Sequence, residues 1–274
     1  MGFQKVFGHR EKVIIGELTA SAPLYPYTHA FVLQVIANGG FVTVSEIGYL
    51  YTFESNMGSD LAEFDRLWIH SLKNQIAAQT SFVNPSSTMI TAVNSPTFTP
   101  NQGFKGNGTS SFLRSNFTPI IDAVKFTLNS ANAGYYIRLN LGITATLEMG
   151  GYNPANYFYM GANYAGYTYY DINNGAYDSS ILATGTTQGL FSNQRTSFNN
   201  TNQYKNGILK GSSNAISYVL PNISYFLMCI NGQNSPILFS SNEFSLSFFS
   251  SGNVNQSNFY NSVQTLGSSM GWAV

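Results

Sequence analysis

The sequence has little of what most catalytic and disulfide-stabilised proteins depend on. It contains one cysteine, Cys229, so no disulfide can form within the chain, and only three histidines. Charged residues make up 9% of the chain, against about a quarter in typical proteins. Twelve basic residues balance twelve acidic ones. Because a chain without net positive charge exerts no general attraction on phosphate backbones, we expect no nucleic acid among its partners.

Long apolar segments are also missing. No apolar run approaches the roughly 18 residues that a membrane span requires, and the first twelve residues, MGFQKVFGHREK, lack the apolar segment of a signal peptide. We therefore expect no insertion into a membrane. If the protein acts outside a cell, we expect it to leave by lysis or within an assembled particle.

Few residues are arranged for catalysis or metal binding. Glycosidases need two carboxylates at a defined separation, and the acids after residue 117 are spread widely: Asp122, Glu148, Asp171, Asp178 and Glu243. The chain has no G-x-S-x-G motif, no phosphate-binding glycine loop and no Cys/His cluster. The sequence therefore predicts a protein that is not an enzyme and has no cofactor.

Helical spacing dominates residues 28–97, which we interpret as a helical lead-in followed by a connector. The stretch HAFVLQVIANGG, residues 29–40, is a first predicted helix with Gly39 and Gly40 as its stop, and Thr43 with Glu46 forms a capping box for a second. A third helix is expected to begin near Asp60 and to present a stripe of five apolar residues: Leu61, Phe64, Leu67, Trp68 and Leu72. Residues 77–97, with two prolines, indicate an irregular connector.

Three acids in this region lie close to a histidine. Asp60, Glu63 and Asp65 with His70 suggest either a metal site or a solvated helix face. Only Glu63 and His70 share helical spacing, and no second histidine or cysteine lies nearby, so the solvated face is favoured.

Residues 98–274 carry short aromatic and β-branched runs separated by Asn, Gly and Ser. The stretch 98–117 is predicted to be an opening hairpin, and Asn206-Gly207 is the strongest hairpin signal in the chain. About a dozen short strands without intervening helices predict an antiparallel β-sandwich or jelly roll. A closing helix is predicted over residues 256–270, capped by Asn255 and stopped by Gly271.

The first 27 residues are interpreted as an extended arm. The run VFGHREKVII could pair as a strand, whereas SAPLYPY is predicted to join no regular element because of its prolines. The arm either contributes to assembly or adds a strand to the edge of the β domain. Its candidate contact residues are Phe3, Val6, Phe7, Ile14, Ile15, Tyr25 and Tyr27.

A tyrosine-rich run over residues 152–177 is the best candidate for ligand binding. Aromatic rings stack on sugar rings, and asparagine amides bind hydroxyl groups. The candidate contacts are Tyr157, Tyr159, Tyr164, Tyr167, Tyr169 and Asn173. In the alternative interpretation, alternate tyrosines fill the sandwich and the others cover a subunit interface.

Several segments resemble structural proteins of tailed bacteriophages, notably those of Bacteroidetes hosts. The segments that carry the resemblance are, in chain order, FDRLWIH, NSPTFT, GFKGNGTSSFL, VKFTLNS, YKNGILK, FSLSFF and FYNSVQTLGSSMG. The resemblance covers residues 30–272 and leaves the arm outside. It implies a mainly β fold, a laminin G-like or concanavalin A-like sandwich, with a small N-terminal helical region and a C-terminal helix.

The same resemblance implies a non-enzymatic virion protein of the tail, baseplate, fibre or capsid decoration. Its partners would be other virion proteins, copies of itself and, in the alternative of a carbohydrate- or receptor-binding module, host surface glycan. It would assemble in the host cytoplasm and become part of an extracellular particle. Because laminin G domains often hold calcium, the resemblance also implies a candidate calcium site at Asp171, Asn173 and Asn174. The favoured alternative for these residues is a turn stabilised by Asx hydrogen bonds ahead of Gly175.

Overall fold

The protein has three layers: helices, an inner β-sheet beneath them, and an outer β-sheet that packs on the other face of the inner sheet. The computed structural model describes residues 24–139, 146–153, 156–175, 180–183 and 186–273. All strand pairs but one, the parallel pair β7–β15 defined below, are antiparallel within these residues. The predicted antiparallel sandwich with helices at both ends of the sequence is confirmed.

The elements are numbered along the chain. The helices are α1 (Pro26–Ala37), α2 (Val44–Met57), α3 (Gln75–Gln79), α4 (Pro119–Asp122) and α5 (Gln256–Met270). In spatial order, the inner sheet comprises β13 (Ile208–Ser213), β12 (Asn200–Lys205), β11 (Gly189–Ser197), β6 (Ala131–Leu139), β17 (Glu243–Ser250), β4 (Gly103–Lys105) and β3 (Thr97–Thr99), with β1 (Phe64–Ile69) also paired to β17. The outer sheet comprises β10 (Ser180–Leu182), β9 (Tyr167–Asn174), β8 (Asn156–Tyr164), β7 (Met149–Asn153), β14 (Phe226–Leu227), β5 (Phe112–Arg114) and β2 (Thr91–Val93), with β15 (Ile230–Gly232) between β7 and β16 (Ser235–Ile237).

Local capping signals place the second helix where the sequence predicts it. The Thr43 hydroxyl accepts from the Glu46 backbone N–H at 3.3 Å, and the Glu46 carboxylate accepts from the Thr43 N–H at 2.8 Å. Two backbone donors that the helix itself cannot satisfy are thereby bonded. The capping box is confirmed.

The first helix begins earlier than predicted. Pro26 is its first residue, so the expectation that this proline excludes regular structure was wrong. Proline suits the first turn because the N–H that it lacks has no partner there. Tyr25, assigned to the arm, stacks on Tyr51 with ring centroids 4.4 Å apart, and Tyr27 packs on the helical core. The other arm candidates, from Phe3 to Ile15, lie outside the described residues.

The third predicted helix was wrong. A short 3-10 turn at Gly58–Glu63 leads into strand β1, which pairs with β17. Leu67 and Ile69 face the helices, whereas Trp68 lies in the core between the sheets. A strand buried on both faces has apolar residues at consecutive positions, and periodicity alone cannot distinguish it from a buried helix.

The connector was also more regular than predicted, because residues 91–93 and 97–99 form β2 and β3. The opening stretch behaves as expected: β3 and β4 form a hairpin, and the chain then crosses to the outer sheet as β5. Gly103 has φ +121°, and a Cβ there would lie 1.9 Å from the Phe244 carbonyl oxygen. Only glycine fits this position.

The closing helix matches its prediction. Asn255 accepts from the Asn258 N–H at 3.0 Å, and Gly271, at φ +79°, ends the helix. Its buried side chains include Phe259, which packs edge-on against Phe248 of β17 with centroids 4.8 Å apart. The helix therefore covers the inner sheet.

Candidate binding site

Strands β8 and β9 send alternate side chains to opposite faces of the outer sheet. Phe158 and Met160 belong to the core between the sheets, whereas Tyr157 and Tyr159 lie with a separate small apolar cluster on the outward face. This alternation follows from the period of two along a strand. We call the outward set the tyrosine face; it consists of Tyr152, Tyr157, Tyr159, Tyr164, Tyr167 and Tyr169.

The rings of the tyrosine face contact one another. Tyr152 and Tyr157 are stacked, with centroids 5.9 Å apart and planes 10° apart, and Tyr159 packs at 5.7 Å from both. Tyr164 and Tyr169 meet edge to face at 5.7 Å. Such contacts hold the rings in set orientations.

The face is open at one end and covered at the other. Near β15 and β16, Ile230 and Ile237 pack on the rings, and Tyr159 is only 3% exposed. At the other end Tyr167 is 45% exposed, beside a two-residue turn in which Ala165 and Gly166 have positive φ. The accessible part of the face therefore lies near the β8–β9 turn.

Five of the six predicted ligand contacts lie together, and one does not. Tyr157, Tyr164 and Tyr169 are half-buried, Tyr167 is exposed and Tyr159 is buried. Asn173 is fully buried, and its amide donates to the Thr127 and Leu128 carbonyls at 3.2 and 3.3 Å. Its placement does not support ligand contact. Tyr152 was missed, although its register opposite Tyr157 places it on the same face.

The three residues of the calcium hypothesis do not converge on an open site. The Asn174 amide donates to Asp171 at 2.7 Å, and its oxygen accepts from the Arg195 guanidinium. Burial lowers the pKa of Arg195 to about 10, while the Asp171 charge opposes that shift. The Arg195 guanidinium thus already supplies a positive charge near the Asp171 carboxylate, which disfavours the binding of a calcium ion there. The described residues contain no cluster of three or more acidic, histidine or cysteine side chains fit for a metal.

Arg195 was not found by sequence reasoning. It is fully buried on β11, and its guanidinium donates to the carbonyls of Ile172, Ser197, Phe198 and Ala215. A single arginine therefore ties the inner sheet to β9 and to two loops. The only signal available was its position in a strand-forming run, which does not reveal long-range partners.

Two acids of the β domain have internal partners. Glu243 forms an ion pair with Arg138, Oε1 to Nε at 2.9 Å. Glu148 is buried and accepts from the Ala162 N–H at 2.8 Å and the Asn242 amide at 3.0 Å. Burial raises the pKa of Glu148 to about 7, although these hydrogen bonds oppose the shift. Both carboxylates bridge parts of the sandwich.

The solvated helix face favoured for the acid cluster was wrong. Asp65 is buried, and its carboxylate accepts from the backbone N–H groups of Val124, Lys125 and Phe126. His70 is fully buried between the Ala78 carbonyl at 3.0 Å and the Ser247 hydroxyl at 2.7 Å, and burial lowers its pKa to about 4. These residues hold a loop and a strand in place.

One end of the sandwich exposes large apolar side chains on its loops. Ile121 and Val124 are 73% and 77% exposed beside the loop that Asp65 binds, and Tyr218 is 64% exposed. The loops are joined, since the Ile120 N–H donates to the Pro221 carbonyl at 3.4 Å. We call this surface the apolar loop end; it comprises Ile120, Ile121, Val124, Phe198, Ile216, Tyr218 and Val219.

Comparison with known proteins gives matches in structure only. No family model and no curated protein matches the chain. A mutant of Trypanosoma rangeli sialidase with trans-sialidase activity aligns over 81% of this chain and 39% of its own, at 13% identity and a TM-score of 0.52. A receptor-binding domain aligns over 76% of this chain and 53% of its own, at 10% identity and a TM-score of 0.50. The binding domain of botulinum neurotoxin serotype D aligns over 78% and 53%, at 10% identity and a TM-score of 0.49.

The chain thus spans about half or less of the length of these proteins. At such low identity the likeness shows the fold alone, a β-sandwich. Among the described helices, none is long and apolar enough to cross a bilayer.

Proposed function

We propose that this chain is a non-catalytic binding domain that recognises carbohydrate or a receptor surface through the open end of the tyrosine face. The observation that carries the proposal is the set of tyrosines that lies outside the sandwich core and is held by ring contacts. Tyr167 is exposed at its margin.

Physical chemistry supports this use of the face. Aromatic rings stack on the apolar faces of sugars, and the hydroxyl at the ring tip can bind a polar group. Because neighbouring rings already restrict one another, binding would cost little side-chain entropy. The fold shared with a receptor-binding domain is in keeping with this role.

The placement of Glu148 and Glu243 in the sandwich is consistent with a binding function and not with glycoside hydrolysis. Glycosidases need one carboxylic acid and one carboxylate on either side of the scissile bond. Glu148 is buried between the sheets and Glu243 is paired with Arg138, so each has a structural partner. Neither belongs to the tyrosine face.

A glycan array followed by calorimetry tests the proposal. We expect saturable binding of at least one glycan, weakened about fivefold or more by Tyr167→Ala or Tyr169→Ala, because an aromatic contact contributes ~1 kcal/mol. Tyr218→Ala is the matched control, an exposed tyrosine on the apolar loop end. Absence of binding to glycans and host cells alike would refute the proposal, as would equal loss in the control.

A second candidate is a structural role in the virion of a tailed phage. The apolar loop end favours it, because exposed apolar side chains grouped on neighbouring loops of a protein often contact another protein. Its side chains are uncharged and its loops are anchored by Asp65 and Arg195. The partners would be other virion proteins or further copies of this chain, and the protein would be located in the extracellular particle. The two roles are compatible, since the surfaces are different.

Incorporation into particles tests this second role. Ile121→Ser with Val124→Ser should abolish incorporation while leaving thermal stability nearly unchanged, because both side chains are exposed. Leu33→Ser, an exposed apolar residue on α1, is the control. Normal incorporation of the double variant would exclude the apolar loop end as the assembly surface.

A further inference from the structure

A pocket of about 210 Å³ lies between the two sheets at their β10 and β13 margin. Strands β8, β9 and β10 form one wall, and β11, β12 and β13 form the other. Among the residues that the structure describes, its lining consists of Ala162, Thr168, Ile181, Ala183, Thr186, Thr187, Phe191, Gln203, Lys205, Asn206, Ile208 and Lys210, none of which is acidic. The pocket lies on the side of β8 and β9 opposite to the tyrosine face, so it is a separate site.

Two lysines of the β12–β13 hairpin line this pocket. Gln203 pairs with Gly211 and Tyr204 pairs with Leu209, so Lys210 is the extra residue of a β-bulge. A bulge redirects a side chain that regular alternation would place elsewhere. Lys210 therefore lines the same pocket as Lys205, although the two lysines do not pair in the ladder.

The described lining of the pocket carries two positive charges, from Lys205 and Lys210. The Lys205 ammonium donates to the Thr186 carbonyl and lies 5.1 Å from the centroid of the Phe191 ring. Burial, and then the charge of Lys210, lower the pKa of Lys205. The two like charges repel each other within one pocket, and an anion between them would offset that repulsion.

The same pocket holds buried polar atoms without a partner. The Thr187 hydroxyl and the Gln203 Oε1 have no hydrogen-bond partner among the described residues, although Thr187 is only 9% exposed and Gln203 1%. Leaving a buried polar group unpaired is unfavourable, because it has lost its hydrogen bonds to water. A ligand that brings both a hydroxyl donor and an acceptor would satisfy these atoms.

The volume limits the size of the ligand. A water molecule takes about 30 Å³ in the liquid, so the pocket has room for several waters and exceeds the needs of one small inorganic anion. Phe191 and Ile208 add apolar surface on which the carbon face of a ring can rest. The pocket thus combines the features that bind a single charged ring.

We propose that this pocket binds one acidic sugar unit, with its carboxylate between Lys205 and Lys210 and its hydroxyl groups on Thr187 and Gln203. The site goes beyond the tyrosine face and does not depend on it. It gives the domain a preference for carboxylated over neutral sugars.

Calorimetric titration of the whole chain tests the proposal, with glucuronic acid and N-acetylneuraminic acid as probes and glucose as the neutral reference. We expect either acid to bind at least about tenfold more tightly than glucose, because charge-assisted hydrogen bonds are worth more than neutral ones. Lys210→Met should weaken acid binding by a similar factor of about ten. Lys125→Met, which removes an equal charge from an exposed loop, should not.

Lys210 is exposed, so its replacement should leave the fold intact, whereas Lys205→Met also loses the contact with Thr186. Equal binding of glucuronic acid and glucose, or unchanged binding in Lys210→Met, would overturn the proposal. Binding of phosphate or sulfate without either acidic sugar would also overturn it. If Tyr167→Ala abolished acid binding and Lys210→Met did not, the tyrosine face would be the site and the pocket would be excluded.

Discussion

The inner and outer sheets are built from similar strands but meet different neighbours. On β17 of the inner sheet, Leu246 and Phe248 face the helices while Phe244 and Phe249 face the other sheet, so every position is buried. On β8 of the outer sheet, only one face is buried in the sandwich and the other carries tyrosines. The inner sheet is therefore buried on both faces, whereas the outer sheet leaves the open end of the tyrosine face accessible to solvent.

The largest expected effect comes from removing a ring from the doubly buried sheet. Phe248→Ala should lower the free energy of unfolding by about 3–5 kcal/mol, because it leaves a cavity between β17 and Phe259. Urea denaturation measures the loss. Tyr157→Ala, a half-buried ring on the outer sheet, is the comparison. Equal losses would mean that the two sheets contribute alike to stability.

A second prediction concerns Glu148, which lies between the sheets and contacts Tyr135 of the inner sheet. Its pKa is about 7 in the folded protein and about 4.5 when unfolded. Between these two pH values the folded state therefore binds more protons than the unfolded state. Stability should fall by about 3 kcal/mol as pH rises from about 4.5 to 7. Thermal denaturation across this range should show the fall, and Glu148→Gln should remove it. A Glu148→Gln variant with the same pH dependence would assign it to other groups.

A third prediction tests the helical cover of the inner sheet. Thr43→Ala breaks the capping box of α2 and should cost about 1 kcal/mol. Thr52→Ala, in the same helix but exposed, should be neutral or slightly stabilising, since alanine favours helix. Differential scanning calorimetry distinguishes them. Identical midpoints would show that the cap contributes nothing to the packed layer.

The smallest effect is expected on the outward face. Tyr167→Ala should change the unfolding free energy by no more than ~0.5 kcal/mol, because the side chain is exposed. The same variant should weaken glycan binding about fivefold or more, so stability and recognition separate at this residue. A loss of stability comparable to that in Phe248→Ala would show that the tyrosine face is part of the core.

Local signals in the sequence predict the elements that depend on a few neighbouring residues. The Thr43–Glu46 cap, the Asn206-Gly207 turn and the closing helix needed only short-range chemistry. Strand β1 was mistaken for a helix because its burial on two faces depends on β17, some 180 residues away in the chain. The candidate sites likewise contain some residues that local patterns predict and others that they do not. Alternation could place tyrosines on one face, but Arg195 and the Lys210 bulge depend on strand register, which local patterns do not fix.

Strand β13 lies at the margin of the inner sheet and, among the described strands, pairs only with β12. The backbone N–H and C=O groups on its outer side are of the kind through which sheets of separate molecules pair into fibres. Ile208 and Leu209 are exposed beside these groups. The bulge at Lys210 interrupts the regular hydrogen-bonding pattern there, and its charge repels an identical strand. The hairpin that lines the pocket thereby also opposes aggregation through this margin.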